Sequence, residues 1–128
     1  MSMARILIVE DNPMNMELAT DLLQDAGYAV RQAHSAEEGI RLAEQESPDL
    51  ILMDIRLPGM DGHAAVGALR SNARTREIAT VALTAQAMHG DEQRALDAGF
   101  DAYITKPIDT RTFVATVARL LAERGRRA

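Results

Sequence analysis

The sequence of 128 residues carries 19 acidic and 14 basic side chains, a formal net charge of −5, and 47% of its residues are hydrophobic. This composition is typical of one globular domain, and its acidity argues against binding to nucleic acid through the phosphates. No cysteine is present, which excludes disulfides, thiolate metal sites and thiol nucleophiles. The apolar stretch 6–9 is too short for a signal peptide or a membrane span, so we expect a cytoplasmic protein that has no membrane partner.

The chain begins with a predicted strand and helix. Residues 6–9 form an apolar run that suits a central parallel strand, because both of its faces are apolar. Asn12 can cap a helix that has Pro13 at its first position, and Gly27 is the expected stop. The apolar side of this helix consists of Met14, Leu18 and Leu22, with Ala19, Leu23 and Ala26 beside them.

The next segments continue the alternation of strand and helix. Residues 28–33 predict a weaker strand, since apolar and polar side chains alternate there. Ser35 begins a second helix with Glu38 in the position of a capping box, and Pro48 ends this unit. Residues 50–54 form a second buried run that ends at an aspartate.

The second half repeats the pattern. A loop over 55–62 holds Pro-Gly and Asp-Gly turn signals, and an amphipathic helix follows over 64–72. Residues 78–84 predict a fourth strand, and 91–98 a short helix that Gly99 ends.

The last unit completes five strand–helix pairs. Residues 102–105 form the fifth strand, and Asp109 caps a final helix. The core stripe of that helix is Phe113, Val117, Leu120 and Leu121. Strict alternation predicts an α/β fold, (βα)5, in which a doubly wound, five-stranded parallel sheet has the flavodoxin-like order 2-1-3-4-5. We expect residues 1–128 to form this single domain without an effector domain.

Polar side chains follow four of the five predicted strands. Glu10 and Asp11 come after the first, Asp54 ends the third, Thr84 the fourth, and Lys106 follows the fifth. Because ligands bind beyond the carboxyl ends of the strands in such sheets, we expect these groups at one edge. They comprise three carboxylates, a hydroxyl and an ammonium.

This combination of groups suits phosphoryl transfer. Three close carboxylates repel one another and require a cation, and oxygen ligands without histidine or cysteine favour Mg²⁺. Asp54 can act as the nucleophile and form an aspartyl phosphate. Lys106 and Thr84 can bind phosphoryl oxygens. Lys106 is the only lysine among 14 basic residues, which suggests a narrow pocket that fits an ammonium rather than a guanidinium.

Four motifs in this order resemble the receiver domain of bacterial two-component response regulators over nearly the whole chain. They are Ile6 to Asn12, Asp49 to Asp54 with Leu57 to Gly62, Val81 to Ala85, and Tyr103 to Pro107. The segment 85–92 further resembles the single-domain, DivK-like cell-cycle type, and receivers attached to hybrid kinases.

The resemblance implies roles for individual residues. It implies Mg²⁺ as the cofactor, bound directly or through water by Glu10, Asp11, Asp54 and the backbone carbonyl of Arg56. Asp54 is implied to be the phosphorylation site, Thr84 and Tyr103 the switch pair, and the Lys106–Pro107 peptide cis. The protein would catalyse only its own phosphorylation and dephosphorylation.

The expected partners are a histidine kinase or histidine phosphotransfer protein as donor, and a downstream protein effector or kinase. We expect a monomer without nucleic-acid partners. Output is predicted on the fourth helix, fifth strand and last helix around Tyr103, with the loop 86–90 as the mobile element. The donor is predicted to dock near Asn12, Asn15 and Met16 of the first helix.

Two other function classes share parts of this pattern. A small Mg²⁺-dependent phosphatase usually has a second acid two residues after the nucleophile, where this chain has Arg56. A flavin-binding electron carrier needs a phosphate-binding nest after the first strand, where this loop is acidic. Four other features of the sequence need no functional explanation. We expect Asp61-Gly62 to be a turn, and His34, His63 and His89 to face solvent.

Overall fold

The computed structural model describes residues 4–57, 59–84, 91–106 and 108–127. Within them, five parallel strands form one sheet in the order β2-β1-β3-β4-β5, which confirms the predicted fold. The strands are β1 (Arg5–Val9), β2 (Ala29–Ala33), β3 (Leu50–Asp54), β4 (Ala79–Thr84) and β5 (Ala102–Thr105). In the same ranges, the helices are α1 (Pro13–Asp25), α2 (Ala36–Glu46), α3 (Gly62–Arg70), α4 (Asp91–Ala98) and α5 (Phe113–Arg127).

The helices cover both faces of the sheet in two core layers. Side chains of α1 and α5 pack with Ile6, Ile8, Leu50 and Leu52 on one face. Side chains of α2, α3 and α4 pack with Leu7, Val9, Ile51 and Met53 on the other face. Successive side chains of a strand point to opposite faces, so the apolar runs of β1 and β3 supply both layers at once.

Caps mark the helix starts. The side chain of Asn12 accepts hydrogen bonds from the backbone N–H groups of Met14 and Asn15, at 2.9 and 3.1 Å, and Ser35 accepts one from Glu38. Both caps were predicted from the sequence.

The start of α3 corrects one prediction. The Asp61 carboxylate accepts a hydrogen bond of 2.8 Å from the Ala64 N–H, so Asp61 is the N-cap of α3. The Asp61-Gly62 pair is therefore not only a turn. The helix begins at Gly62, two residues before the predicted start, because this cap fixes the chain ahead of the first apolar position.

The buried side of α1 agrees only in part with the predicted apolar side. Ala19 and Leu23 were predicted and are buried, whereas the burial of Met16 was not predicted. Met16, Ala19 and Leu23 face the sheet and are buried. Met14 and Leu18 are 80% and 37% exposed. Both sets recur at helical spacing, and the position of the sheet decides between them.

Contrary to the prediction, His63 does not face solvent. It is half-buried, and its ring meets the ring of Phe100 edge-on, with centroids 6.3 Å apart. Within the described residues its buried Nε2 has no hydrogen-bond partner. His34 is exposed as predicted, and His89 lies outside the described residues.

No helix in the described ranges is both long enough and apolar enough to cross a membrane.

Candidate functional site

The carboxyl ends of β1 and β3 bring three carboxylates together. Glu10 and Asp11 follow β1 directly, and Asp54 is the last residue of β3. The two strands are neighbours, with Val9 opposite Met53. One carboxylate oxygen of each acidic residue lies within 4.8 Å of the other two. The sheet topology thus makes one acidic group from residues that are far apart in sequence.

The ammonium of Lys106 joins two of these carboxylates. Its Nζ donates hydrogen bonds to Glu10 Oε1 at 2.5 Å and to Asp54 Oδ2 at 3.0 Å. The Glu10 side chain is 1% exposed and that of Lys106 is 12% exposed. The backbone N–H of Lys106 donates to the carbonyl of Thr84 at 2.6 Å, which fixes the start of the lysine side chain against β4.

Strand alternation explains why these three groups meet. Glu10, Asp54 and Lys106 each lie two residues after an apolar side chain of the layer that holds α1 and α5. Those apolar residues are Ile8, Leu52 and Ile104. The three polar groups therefore continue one face of the sheet beyond its core.

Burial and charge shape the ionisation of the group. Burial raises the pKa of Glu10, the nearby Asp54 carboxyl adds to the rise, and the hydrogen bond from Lys106 opposes it. Burial alone would lower the pKa of Lys106, but its hydrogen bonds and charge interactions with Glu10 and Asp54 outweigh this and raise it. Three carboxylates and one ammonium carry a formal charge of −3 + 1 = −2 when all are ionised.

Backbone N–H groups bind the carboxylates of Glu10 and Asp54 at the oxygens that Lys106 does not contact. The Arg56 N–H donates to Asp54 Oδ1 at 2.9 Å, and the Asn12 N–H donates to Glu10 Oε2 at 3.2 Å. Both oxygens of each side chain are thus engaged, one by Lys106 and one by the loop that follows the strand. This fixes the orientation of the carboxylates before any ligand binds.

Gly62 is a positioning residue that sequence reasoning missed. Its N–H donates to the carbonyl of Ile55 at 2.8 Å. A Cβ at position 62 would lie 2.7 Å from Ile55 Cα and 3.1 Å from the carbonyl oxygen of Asp54. The backbone after Asp54 is therefore packed directly against the start of α3. The sequence signal was present, because Asp61-Gly62 immediately precedes an amphipathic helix.

Thr84 and Tyr103 lie on the opposite face from Asp54. Ala82 pairs with Tyr103, and Thr84 lies two residues after Ala82, so parallel alternation places Thr84 and Tyr103 on the same face. Thr84 is 6% exposed, and Tyr103 is half-buried against the layer of α2, α3 and α4. Their roles as a switch pair stay a prediction.

Two other predicted features concern Arg56 and Pro107. Arg56 is exposed in the loop after β3, and the role of its carbonyl as a metal ligand stays a prediction. The predicted cis peptide before Pro107 lies outside the described residues.

The donor set fits Mg²⁺. Ligand atoms at Mg²⁺ lie about 2.0–2.1 Å from the ion, so two of them are at most roughly 4.2 Å apart. The spacing within 4.8 Å suits oxygens that bind directly or through one water. All three groups are hard oxygen donors, and a divalent cation would balance their excess negative charge.

Comparison with known proteins places the chain in a family. Residues 6–118 match the profile of the response regulator receiver domain. The chain belongs to this family. It is therefore a receiver domain of the signalling proteins called response regulators, and receiver domains bind Mg²⁺ at an acidic pocket and interact with histidine kinases and effectors.

Curated relatives of this receiver include polar-differentiation response regulators named DivK. The chain is 42% identical to DivK of Brucella ovis over 118 residues, which cover 92% of this chain and 96% of the relative. It is 41% identical to DivK of Brucella anthropi, with the same coverage. The predicted resemblance to DivK-like regulators is confirmed.

Solved structures of similar fold come from chemotaxis and kinase proteins. The chemotaxis response regulator CheY4 of Vibrio cholerae is 28% identical, with a TM-score of 0.88 over 93% of this chain and 99% of that one. The receiver domain of the sensor histidine kinase PA1611 from Pseudomonas aeruginosa is 35% identical, with a TM-score of 0.87 over 94% and 99%. In that structure a magnesium ion is coordinated in the active site cleft.

Proposed function

We propose that this receiver accepts a phosphoryl group on Asp54 in a two-component phosphorelay and signals by phosphorylation-dependent binding to another protein. The donor is a phosphohistidine on a histidine kinase or a histidine phosphotransfer protein. The observation that carries the proposal is the meeting of Asp54 with Lys106 and two further carboxylates at the carboxyl edge of the sheet. Family membership supports the same chemistry.

The proposed step is a transfer between two side chains. An oxygen of Asp54 forms a bond to phosphorus while the phosphorus–nitrogen bond of the phosphohistidine breaks, and the bonding electron pair stays on the imidazole nitrogen. A carboxylate needs no general base for this attack. The protein mainly has to position Asp54 and neutralise charge, and the hydrogen bonds from Arg56 and Lys106 already orient the carboxylate.

Lys106 and Thr84 are proposed to hold the transferred group. The Lys106 ammonium lies 3.0 Å from Asp54, so a modest shift would bring it to a phosphoryl oxygen on that side chain. Thr84 ends β4 beside β3, within the same edge of the sheet, and its hydroxyl can donate to a second phosphoryl oxygen. Glu10, Asp11, Asp54 and the Arg56 carbonyl would hold Mg²⁺, which supplies positive charge for the remaining phosphoryl oxygens.

The output is proposed to pass through Tyr103. A bond from Thr84 to the phosphoryl group would draw the hydroxyl toward Asp54, and Tyr103 on the same face would turn into the space beside it. Such a change would alter the surface of α4, β5 and α5. The predicted mobile loop 86–90 leads into this surface but lies outside the described residues.

The proposed donor surface on α1 needs one correction. Met16 is 3% exposed, so it cannot contact a docking protein directly. Met14 lies in the same turn and is 80% exposed, and it replaces Met16 in the proposal. This surface borders the acidic edge, because α1 begins immediately after Asn12.

Acetyl phosphate tests the proposed chemistry without a protein donor. Intact-mass measurement should show the gain of one phosphoryl group in the presence of Mg²⁺ and little gain after EDTA treatment. Asp54→Ala should gain none, because it removes the nucleophile. Asp25→Ala, at an exposed carboxylate of α1, is the matched control and should be labelled like the original protein. Equal incorporation by Asp54→Ala would reject the assignment.

A further inference from the structure

The imidazole of His63 contains a buried nitrogen without a hydrogen-bond partner. Its Nε2 is unpaired within the described residues, although nearly all buried polar atoms in proteins are hydrogen-bonded. The ring is half-buried and lies edge-on to Phe100, with 6.3 Å between the ring centroids. The tautomer with its proton on Nδ1 leaves Nε2 as a hydrogen-bond acceptor inside the protein.

Tyr103 carries the complementary group on the same side of the sheet. Its side chain is half-buried and packs against the layer of α2, α3 and α4, which also contains Phe100. In the ranges that the structure describes, the Tyr103 hydroxyl takes part in no hydrogen bond. A phenol hydroxyl can donate one hydrogen bond, and a neutral imidazole nitrogen can accept it.

One row of residues across the sheet relates Tyr103 to the strand that carries Asp54. Met53 pairs with Ala82 and Ala82 pairs with Tyr103, all on the face of α2, α3 and α4. Two strand spacings of about 4.8 Å separate the ends of this row, so the backbone of Tyr103 lies roughly 10 Å from β3. The middle residue is an alanine, so no large side chain of β4 stands between the two ends.

His63 approaches Tyr103 from the other end of this row. Its neighbour Gly62 is packed against the backbone of Ile55, immediately after β3, so α3 starts beside that strand. From there the His63 ring extends toward Phe100, which lies three residues before Tyr103 in the chain. The imidazole therefore extends across the sheet from the side of β3 toward the side of β5.

We propose that His63 is a positioning residue of the switch, and that its Nε2 accepts a hydrogen bond from the Tyr103 hydroxyl when Asp54 is phosphorylated. The inward turn of Tyr103 takes its hydroxyl from water into an apolar layer, which is unfavourable unless the hydroxyl finds a partner. Nε2 is an acceptor that is already removed from water, so one bond satisfies both groups. This inference rests on the proposed function, which supplies the movement of Tyr103.

The bond biases the switch because it exists in one state only. In the structure described here, both groups lack this bond. A contact that is made in the phosphorylated state alone shifts the equilibrium toward that state. The net contribution of one hydrogen bond corresponds to about a two- to tenfold change in the ratio of inward to outward Tyr103 rings.

The ¹⁵N signals of the imidazoles report the bond directly. Protein labelled at histidine is measured with Mg²⁺ before and after the addition of beryllofluoride, which stands in for the phosphoryl group on Asp54. We expect the unprotonated Nε2 of His63 to shift upfield when it accepts the bond. The shift should be absent in Tyr103→Phe, which keeps the ring and lacks the hydroxyl.

Variants of His63 separate the hydrogen bond from the shape of the side chain. His63→Leu fills a similar space without an acceptor, and His63→Gln keeps one. With saturating beryllofluoride, the inward-to-outward ratio of Tyr103, read from its ring signal, should fall about two- to tenfold in His63→Leu and recover in part in His63→Gln. His34→Leu, at an exposed position after β2, is the matched control and should keep the ratio.

An Nε2 signal that stays in place with bound beryllofluoride, or that moves equally in Tyr103→Phe, would overturn the inference. An unchanged ratio in His63→Leu would do the same. The Tyr103→Phe comparison keeps His63 and therefore decides the question even where His63→Leu is unstable.

Failure of the proposed function has a different signature. In that case ¹⁹F spectra show that the original protein does not bind beryllofluoride, or the Tyr103 ring does not move when it binds. Either result rejects the switch and this inference with it. A Tyr103 ring that moves beside an unchanged Nε2 signal rejects the role of His63 alone.

Discussion

Lys106 is the residue on which the charge balance of the site depends. Its ammonium binds Glu10 and Asp54, two of the three carboxylates proposed to hold Mg²⁺. The ammonium and the metal therefore draw on the same oxygens. We expect Lys106→Met to bind Mg²⁺ more tightly than the original protein, because it removes a competing positive charge, and yet to accept phosphate more slowly. Isothermal titration with Mg²⁺ and the rate of acetyl phosphate labelling measure the two effects.

Substitution of Lys106 by arginine tests the shape of the pocket. The lysine side chain is 12% exposed and lies against a glutamate that is almost fully buried. A planar guanidinium needs more room, so Lys106→Arg should slow labelling at least about tenfold although the charge is kept. Arg111→Lys, at an exposed position of the segment before α5, should label normally. Normal labelling of a folded Lys106→Arg variant would contradict the narrow-pocket argument.

At the scale of elements, the contact between α3 and the loop after β3 fixes Asp54. A methyl group at Gly62 would lie 2.7 Å from a backbone atom of Ile55, which cannot yield as a side chain can. Gly62→Ala should therefore lower the free energy of unfolding by about 1–3 kcal/mol. Gly67, farther along α3, has open space around its Cβ position. Gly67→Ala should raise stability by about 0.5–1 kcal/mol, because alanine favours the helix.

Urea denaturation measures the free energy of unfolding of Gly62→Ala and Gly67→Ala, two variants of the same helix. If Gly62→Ala proved as stable as Gly67→Ala, the close contact at the start of α3 would not exist in solution.

The sequence predicted the elements better than the faces they bury. Apolar runs that end in polar residues located the strand ends, and Asn12 and Ser35 located two helix starts. In α1, however, two apolar sets compete at helical spacing, and only the sheet beneath shows that Met16 is buried and Met14 is exposed. The exposure of His63 likewise depends on Phe100, a contact that no local pattern encodes.

At the scale of the whole molecule, the sheet separates the site into two faces. The proposed phosphoacceptor and Lys106 continue the face of α1 and α5, whereas Thr84 and Tyr103 belong to the face of α2, α3 and α4. The order of the strands made the meeting of the acidic groups predictable from sequence. The bridge from Lys106 to Glu10 was not predictable, because it depends on side-chain packing at the edge of the sheet.

Phosphorylation should therefore change the NMR signals of residues on the face of α2, α3 and α4, where Tyr103 lies. The chain has two tyrosines, and Tyr28 lies next to β2 at the far end of the sheet order from β5. In NMR spectra of tyrosine-labelled protein, beryllofluoride with Mg²⁺ should move the Tyr103 ring signal and leave that of Tyr28 in place. Thr84→Ala should reduce the Tyr103 shift. An unmoved Tyr103 signal in a protein that binds beryllofluoride would remove the proposed switch.

We propose that Asp54, rather than Glu10 or Asp11, receives the phosphoryl group. Borohydride reduces an aspartyl phosphate to homoserine, and peptide mass spectrometry then locates the modified position. After labelling with acetyl phosphate and Mg²⁺, we expect homoserine at position 54 alone. Homoserine at position 11, 2-amino-5-hydroxypentanoic acid at position 10 from a reduced glutamyl phosphate, or a phosphate that remains on a histidine would reject the assignment.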